Sequence, residues 1–231
     1  MSLIERILGL KRVLVMENER ALHLWKGEIR GILQPGEHLL ANRRGRLEVE
    51  CHDLARPEFS SHYEKALLDK LPEVASRHLT VFVTGKSEVA VIERDGRVHT
   101  VMQPDQRLVI WTAAGPWSKV TVDVGQSLAV ETSLMRRIGR AGLAAKAMSL
   151  HPVAEGQAGL LYVDGELAST LKPGVHAFWN VGRMVQVKVI DLRRQSIDIA
   201  GQELLTKDRV TIRVNIAAEY RVADPVKAAT A

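Results

Sequence analysis

Residues 15–40 read VMENERALHLWKGEIRGILQPGEHLL, and residues 153–178 read VAEGQAGLLYVDGELASTLKPGVHAF. Laid one on the other, 138 positions apart and without a gap, they share nine identities in 26 positions. Val15, Glu17, Leu22, Gly27, Glu28, Leu33, Pro35, Gly36 and His38 fall on Val153, Glu155, Leu160, Gly165, Glu166, Leu171, Pro173, Gly174 and His176. The match continues with Asn42 on Asn180, Val49 on Val187, and Asp53-Leu54 with Arg56 on Asp191-Leu192 with Arg194. Half of 138 is 69, and a weaker third copy sits there: Glu19, Ala21, Gly27, Pro35 and Leu39 fall on Glu88, Ala90, Gly96, Pro104 and Leu108. Self-similarity at a fixed period signals one supersecondary unit used repeatedly.

The shared frame reads as a hairpin. Two β-rich runs, such as Ser87–Glu93 and Arg97–Met102, flank Asp95-Gly96. Asp-Gly between apolar runs is a strong hairpin signal, because both central residues of the tight turn need φ > 0. Lys26-Gly27 is a poorer version of it and Asp164-Gly165 a full one. A second turn follows at Pro-Gly or Pro-Asp, where proline pre-sets φ. A further strand then alternates: Leu47, Val49 and Cys51 against Glu48, Glu50 and His52, with Val120, Val122 and Val124, and Val185, Val187 and Val189, doing the same. Such alternation predicts a sheet with one buried face.

Helical stretches lie between the copies. Ser61-His62-Tyr63-Glu64 has the spacing of a capping box before an apolar-periodic run ending near Leu71-Pro72. Ser127–Met148 is rich in alanine and leucine, and Gly139 and Gly142 weaken it as one continuous helix. The third copy is followed by β-like sequence, Ser196–Ile199 and Val210–Ile216. Asp224-Pro225 then reads as an N-cap and first turn. A helix opening so near residue 231 carries the expectation of a fragment that continues further.

The C-terminal residues also carry a resemblance. Val189-Ile190-Asp191-Leu192-Arg193-Arg194-Gln195, then Gln202-Glu203-Leu204-Leu205-Thr206-Lys207-Asp208, then Ala218-Glu219-Tyr220-Arg221-Val222-Ala223-Asp224-Pro225-Val226 together resemble the stomatin/slipin branch of the SPFH (band 7) family. The pattern is specific in combination, and with Pro173–His176 it spans Val153 to Ala228. The two upstream copies resemble the N-terminal extension of soluble bacterial slipins, with a looser architectural likeness to the major vault protein. The resemblance implies an assembly scaffold without catalysis, forming rings or cages against a membrane and organising lipids or partners such as membrane proteases. It implies a homo-oligomer for the full-length protein and a monomer or weak oligomer for a piece lacking the family's long assembly helices.

The expected fold is therefore α+β: tandem small antiparallel β-sheet modules with connecting helices, stacked as an elongated rod. The modules are residues 1–81, 82–150 and 151–231, the last being the start of an SPFH domain. The N-terminal Leu3, Ile4, Ile7, Leu8 and Leu10 are expected to clasp the first repeat.

Composition bounds the function. A single cysteine in 231 residues excludes a disulfide scaffold and a Cys-rich zinc site. No apolar run reaches the roughly 18 residues of a membrane-spanning helix, and Glu5 and Arg6 spoil a secretory leader. Eight histidines include no pair at i, i+4 and no His-Glu-x-x-His. His38 and His176 share one repeat position, which favours a turn role. Cys51 sits where the other copies carry aliphatic residues, and is expected to be a buried small hydrophobe. Gly85-Lys86-Ser87 is not a phosphate loop, because position 80 is Thr80 rather than glycine and a strand is expected to run through it. No catalytic constellation, cofactor, metal or small-molecule substrate is expected, and neither is nucleic acid, for want of aromatic interleaving.

Charge is unevenly placed. The chain carries +5, and from Thr132 to Ala154 there is no acidic residue while Arg136, Arg137, Arg140 and Lys146 contribute four positive charges. Leu134, Ile138, Ala141 and Ala145 can share a helical face beneath them. A basic amphipathic helix points to a membrane surface or an acidic partner. A connector helix with solvated arginines is the simpler structural account of the same pattern. The expected location is cytoplasmic, with peripheral contact at the inner face of the membrane. Two functions stand at this point: a scaffold that oligomerises and organises partner proteins, and an adaptor that recruits or regulates a separately encoded membrane protease.

Overall fold

The computed structural model describes residues 9–42 and 45–230. The proposed N-terminal clasp at Leu3, Ile4, Ile7 and Leu8 lies outside these residues; Leu10 opens the first strand. Among the described residues the fold is mostly β, with seventeen strands and a few short helices. The chain divides into two compact units, one ending at Gln126 and one beginning at Ser127.

The first unit contains two copies of one module. Its first copy has β1 (Leu10–Val15), β2 (Glu19–Trp25), β3 (Glu28–Leu33), β4 (Gly36–Ala41) and β5 (Leu47–Asp53). β1 pairs with β4 as a two-stranded ladder, and β3-β2-β5 form a three-stranded antiparallel sheet. After α1 (Glu64–Lys70) and α2 (Pro72–His78) the pattern returns in β6 (Leu79–Val83), β7 (Glu88–Arg94), β8 (Arg97–Met102), β9 (Arg107–Trp111) and β10 (Trp117–Asp123), with pairings β6-β9 and β8-β7-β10. The second unit opens with α3 (Thr132–Arg140) and α4 (Ala144–Ala147). It repeats the module in β11 (Met148–Val153), β12 (Gln157–Val163), β13 (Glu166–Leu171), β14 (Gly174–Trp179) and β15 (Val185–Asp191). A long hairpin, β16 (Gln195–Leu205) and β17 (Thr211–Tyr220), and α5 (Pro225–Thr230) follow. The first strands begin at Leu10, Leu79 and Met148, so the 69-residue period read from sequence is the period of the fold.

Turn chemistry explains why each copy closes the same way. Lys26 and Gly27, Asp95 and Gly96, and Asp164 and Gly165 all have positive φ, between 51° and 88°, as the tight hairpin turn demands. The residue after each turn proline, Gly36, Asp105 or Gly174, is also at positive φ.

Burial departs from the one-faced sheet that alternation predicts. The central strands are covered on both faces: Ala21 and Leu22 in β2 and Val89 through Ile92 in β7 are fully buried. In the first copy, Val13 and Val15 of the two-stranded ladder cover Ala21 and Leu47. The opposite face presents Leu22, Leu24 and Ile29 to Leu67 and Ala75 of α1 and α2, and to Leu79, Val109 and Trp111 of the second copy. The two copies thus share one apolar core inside the first unit. A strand buried on both sides needs consecutive apolar residues, which is what Val89-Ala90-Val91-Ile92 supplies.

The outer strand of that first sheet corrects two assignments. Cys51 is exposed, not buried. His52 turns inward instead, its ring 5.2 Å from Phe59 and 5.4 Å from Trp111. The helices differ as well. Ser61 forms no capping box: its Oγ accepts from the Tyr63 amide at 3.2 Å and donates to Glu50 Oε2 at 3.0 Å, while Glu64 pairs with Arg107 at 3.0 Å. Leu71-Pro72 ends α1 as read, but Pro72 also opens α2, where its missing N–H costs nothing.

Candidate functional site

The basic connector is built by a short amphipathic helix. Leu134 and Ile138, four residues apart, are the buried residues of α3. No acidic side chain occupies its first turn, and Arg137 and Arg140 fall in its last, where positive charge complements the helix dipole. At 100° per residue, Arg136 and Arg140 share the face opposite Leu134 and Ile138, and both are exposed, as is Arg137 on the flank. Among the described residues Arg136, Arg140 and Lys146 stand in no ion pair within 4 Å.

The helix then stops. Gly142 takes φ 74°, its amide donates to the Gly139 carbonyl at 3.0 Å, and the Leu143 amide reaches back to the Ile138 carbonyl at 3.2 Å. This is a Schellman ending, which glycine permits without strain. Lys146 consequently belongs to a second helix, α4, whose buried residue is Ala147. Ala141 and Ala145 are exposed, so the single apolar face through Leu134, Ile138, Ala141 and Ala145 does not form. The structure gathers Arg136, Arg137 and Arg140 on one helix and sets Lys146 on the next.

The remaining sequence candidates take structural positions. His38 Nε2 donates to the Gln34 carbonyl at 2.7 Å, and His176 Nε2 to the Lys172 carbonyl at 2.8 Å. One bond thus straps the proline turn in both copies. Although Cys51 is exposed, partial desolvation by its neighbours, reinforced by Glu19, pushes its thiol above its usual pKa, so its thiolate is disfavoured. Gly85-Lys86-Ser87 is a turn between β6 and β7 and not the continuous strand expected there. No helix follows it, so it still lacks the frame of a phosphate loop. Beside it Thr84, unnoticed in the sequence, is buried; its Oγ1 lies 2.7 Å from the Gln103 carbonyl and accepts from the Gln106 amide at 2.9 Å. Among the described residues no group of three His, Cys, Asp or Glu side chains is placed to hold a metal, and no helix is long and apolar enough to cross a membrane.

The residues of the C-terminal motif also have concrete jobs. Asp191 accepts from Arg193 through both its backbone amide and its guanidinium, which holds the carboxyl at about 2. Gln195 and Tyr220 face each other at the base of the long hairpin, joined by Tyr220 Oη to Gln195 Oε1 at 2.7 Å. Thr206 closes the hairpin's far end, exchanging bonds with Val210 around Lys207-Asp208-Arg209. Asp224 Oδ1 accepts from the amides of Val226 and Lys227, the N-cap read from Asp-Pro. Between base and turn, Ile197, Ile199, Leu204, Ile212, Val214 and Ile216 share one face by register, while Asp198, Glu203, Arg213 and Glu219 share the other. The apolar face is largely solvent-exposed.

These features define a protein of tandem β-modules, and residues 152–231 match the SPFH domain / Band 7 family. The chain is 34% identical over 84 residues to a stomatin homolog of Pyrococcus horikoshii, covering 36% of this chain and 31% of that one. It is 38% identical over 78 residues to an uncharacterized protein of Archaeoglobus fulgidus, covering 34% and 30%. It is 51% identical over 39 residues to Stomatin-3 of Caenorhabditis elegans, covering 17% and 15%. The chain spans about a third or less of the length of these curated relatives.

Proposed function

We propose that the protein is a non-enzymatic scaffold of the SPFH type, which self-associates and organises partner proteins at a membrane surface. The observation that carries this reading is the long hairpin. Its apolar face runs through Ile212, Val214 and Ile216 on β17 and through Ile197, Ile199 and Leu204 on β16, interrupted there by Gln202 at a bulge, with Ile197, Ile199, Leu204, Ile212 and Ile216 each 42–54% exposed. Contiguous exposed apolar surface of this kind marks an interaction site. Sheets of two or three strands supply further open edges on each module, and unpaired edges are templates for strand addition. Sedimentation velocity tests the reading. Association that grows with concentration is expected, and Ile197→Glu with Ile216→Glu should abolish it, because each places a charge on the apolar face and leaves the β16–β17 ladder intact. A full-length protein that stays monomeric across the accessible concentration range, or a charged variant that associates unchanged, overturns it.

The exposed arginines of α3 support peripheral contact with an anionic surface, each worth about 1 kcal/mol near such a leaflet. That makes the attraction weak and salt-sensitive.

A further inference from the structure

In the second and third copies one edge of the two-stranded ladder is closed by a short extended segment. Phe59 donates its amide to the Val109 carbonyl at 2.8 Å, and Trp111 donates to the Pro57 carbonyl at 2.9 Å. In the third copy the same two bonds run from Val130 to Ala177 at 2.8 Å and from Trp179 to Leu128 at 2.9 Å. An antiparallel bridge lies between the two bonds of each copy, Glu58 with Ile110 and Ala129 with Phe178. The closing segments, Pro57-Glu58-Phe59 and Leu128-Ala129-Val130, share an apolar–x–apolar pattern. Their apolar residues are buried and the central one is exposed.

The first copy has the same edge without such a segment. By ladder register, Leu39, Leu40 and Ala41 of β4 stand where Val109, Ile110 and Trp111 stand in β9, and Ala177, Phe178 and Trp179 in β14. Asn42 donates to the Gly9 carbonyl as Asn180 does to that of Ala147, so the bonding phase of the ladder is the same. Along an antiparallel strand, residues turn both backbone groups alternately to one side and the other. Leu39 and Ala41 therefore aim their N–H and C=O groups away from β1, and among the described residues no hydrogen bond reaches them from that side. Side-chain burial follows the same division. Leu39 is 55% exposed, against 5% for Val109 and 4% for Ala177, and Ala41 is exposed where Trp111 and Trp179 are buried.

We propose that the β4 edge of the first copy is the docking site for an extended, apolar–x–apolar segment of a partner protein, added antiparallel to Leu39–Ala41. The first apolar residue of that segment accepts from the Ala41 amide and the second donates to the Leu39 carbonyl. Both side chains then lie on the face of Leu39, Ala41 and Leu10. In such strand addition the backbone bonds give affinity and the alternate side chains give selectivity. The site rests on the partner-organising part of the scaffold reading and does not use the β16–β17 face, so the two can fail separately.

The probe is one of the chain's own closing segments as a free peptide, residues 125–131, GQSLAVE, titrated into the full chain and read by amide chemical shifts. Saturable shifts centred on Leu39–Ala41 are expected. Ala41→Pro removes the outward donor at an edge position, where proline is tolerated, and should weaken binding tenfold or more. Leu39→Lys, at a side chain exposed in the free protein, should do the same with an unchanged urea midpoint, and decides the matter where the proline variant fails to fold. A peptide carrying Leu128→Lys and Val130→Lys should not bind. Hydrogen exchange at the Leu39 and Ala41 amides without peptide separates the other occupants, and fast exchange at every protein concentration is expected. Protection at all concentrations means that the chain's own residues close the edge, and protection that grows with concentration means that a second copy does. Either result overturns the proposal, as do the absence of saturable shifts at β4 and a folded Leu39→Lys that binds like the wild type.

Discussion

His52 shows how a single side chain couples this fold to pH. Its ring lies between Phe59 and Trp111 in the core shared by the first two copies, with Glu50 Oε1 3.0 Å from Nε2. Burial lowers its pKa, and Glu50 opposes that shift without cancelling it. Across the ladder it faces Arg20, which adds no compensating negative charge. His23, His78 and His151 are lowered too, each mainly by burial. When a histidine's pKa is lower folded than unfolded, the unfolded chain binds more protons in between, so stability rises with pH through that window. The window lies below the ordinary imidazole value of about 6.5. Urea unfolding should therefore show a chain less stable at pH 5 than at pH 7. His52→Val, the residue at the equivalent Val122, should flatten that slope, and an unchanged slope would discard the assignment. The sequence could not place His52 inward, because alternation says which residues share a face and not that both faces are covered. Cys51 shares the face of buried Leu47 and is nonetheless exposed further along the strand, which alternation does not show either.

At the scale of elements, punctuation was legible and coverage was not. Asp-Gly, Pro-Gly and Asp-Pro each specify a local backbone, and the turns at residues 95–96 and 164–165 and the cap at Asp224 follow from two or three residues alone. The second helix after Pro72 was missed because proline both ends one helix and starts another. Gly139 and Gly142 looked alike in sequence, as two weak points of one helix. They are opposite cases. Gly142 holds φ 74° at the end of α3, and Gly139 is an interior helical residue. Neither would bring an added Cβ within 4 Å of another atom, so only backbone energetics differ. Gly142→Ala should destabilise the second unit by about 1–2 kcal/mol, and Gly139→Ala should stabilise it by about 0.5–1 kcal/mol. Denaturant midpoints moving the same way in both variants would refute the Schellman assignment.

For the whole molecule, the charge reading is narrower than four basic residues on one stripe. Arg136 and Arg140 form an exposed pair on α3, while Lys146 stands on another helix. Liposome flotation should therefore detect binding to anionic vesicles that fades with added salt. Arg136→Glu with Arg140→Glu should remove most of it, whereas Lys146→Glu should have a smaller effect. Equal losses from both variants would mean that net charge, and not the α3 face, makes the contact. The repeat, the β-rich modules and the SPFH segment could all be read from sequence, because identical residues at fixed spacing survive without knowledge of packing.

The 69-residue spacing also bears on how such a chain changes length. His78 and Ala147 stand immediately before equivalent first strands, β6 and β11. Excising residues 79–147 would join α2 directly to Met148 in unbroken register. The core beside Leu22 and Leu67 would lose Leu79, Val109 and Trp111 and be offered Met148, Ala177 and Trp179 at the same strand positions. Insertion and loss of one whole copy are thus the changes that this architecture absorbs without inventing a new junction.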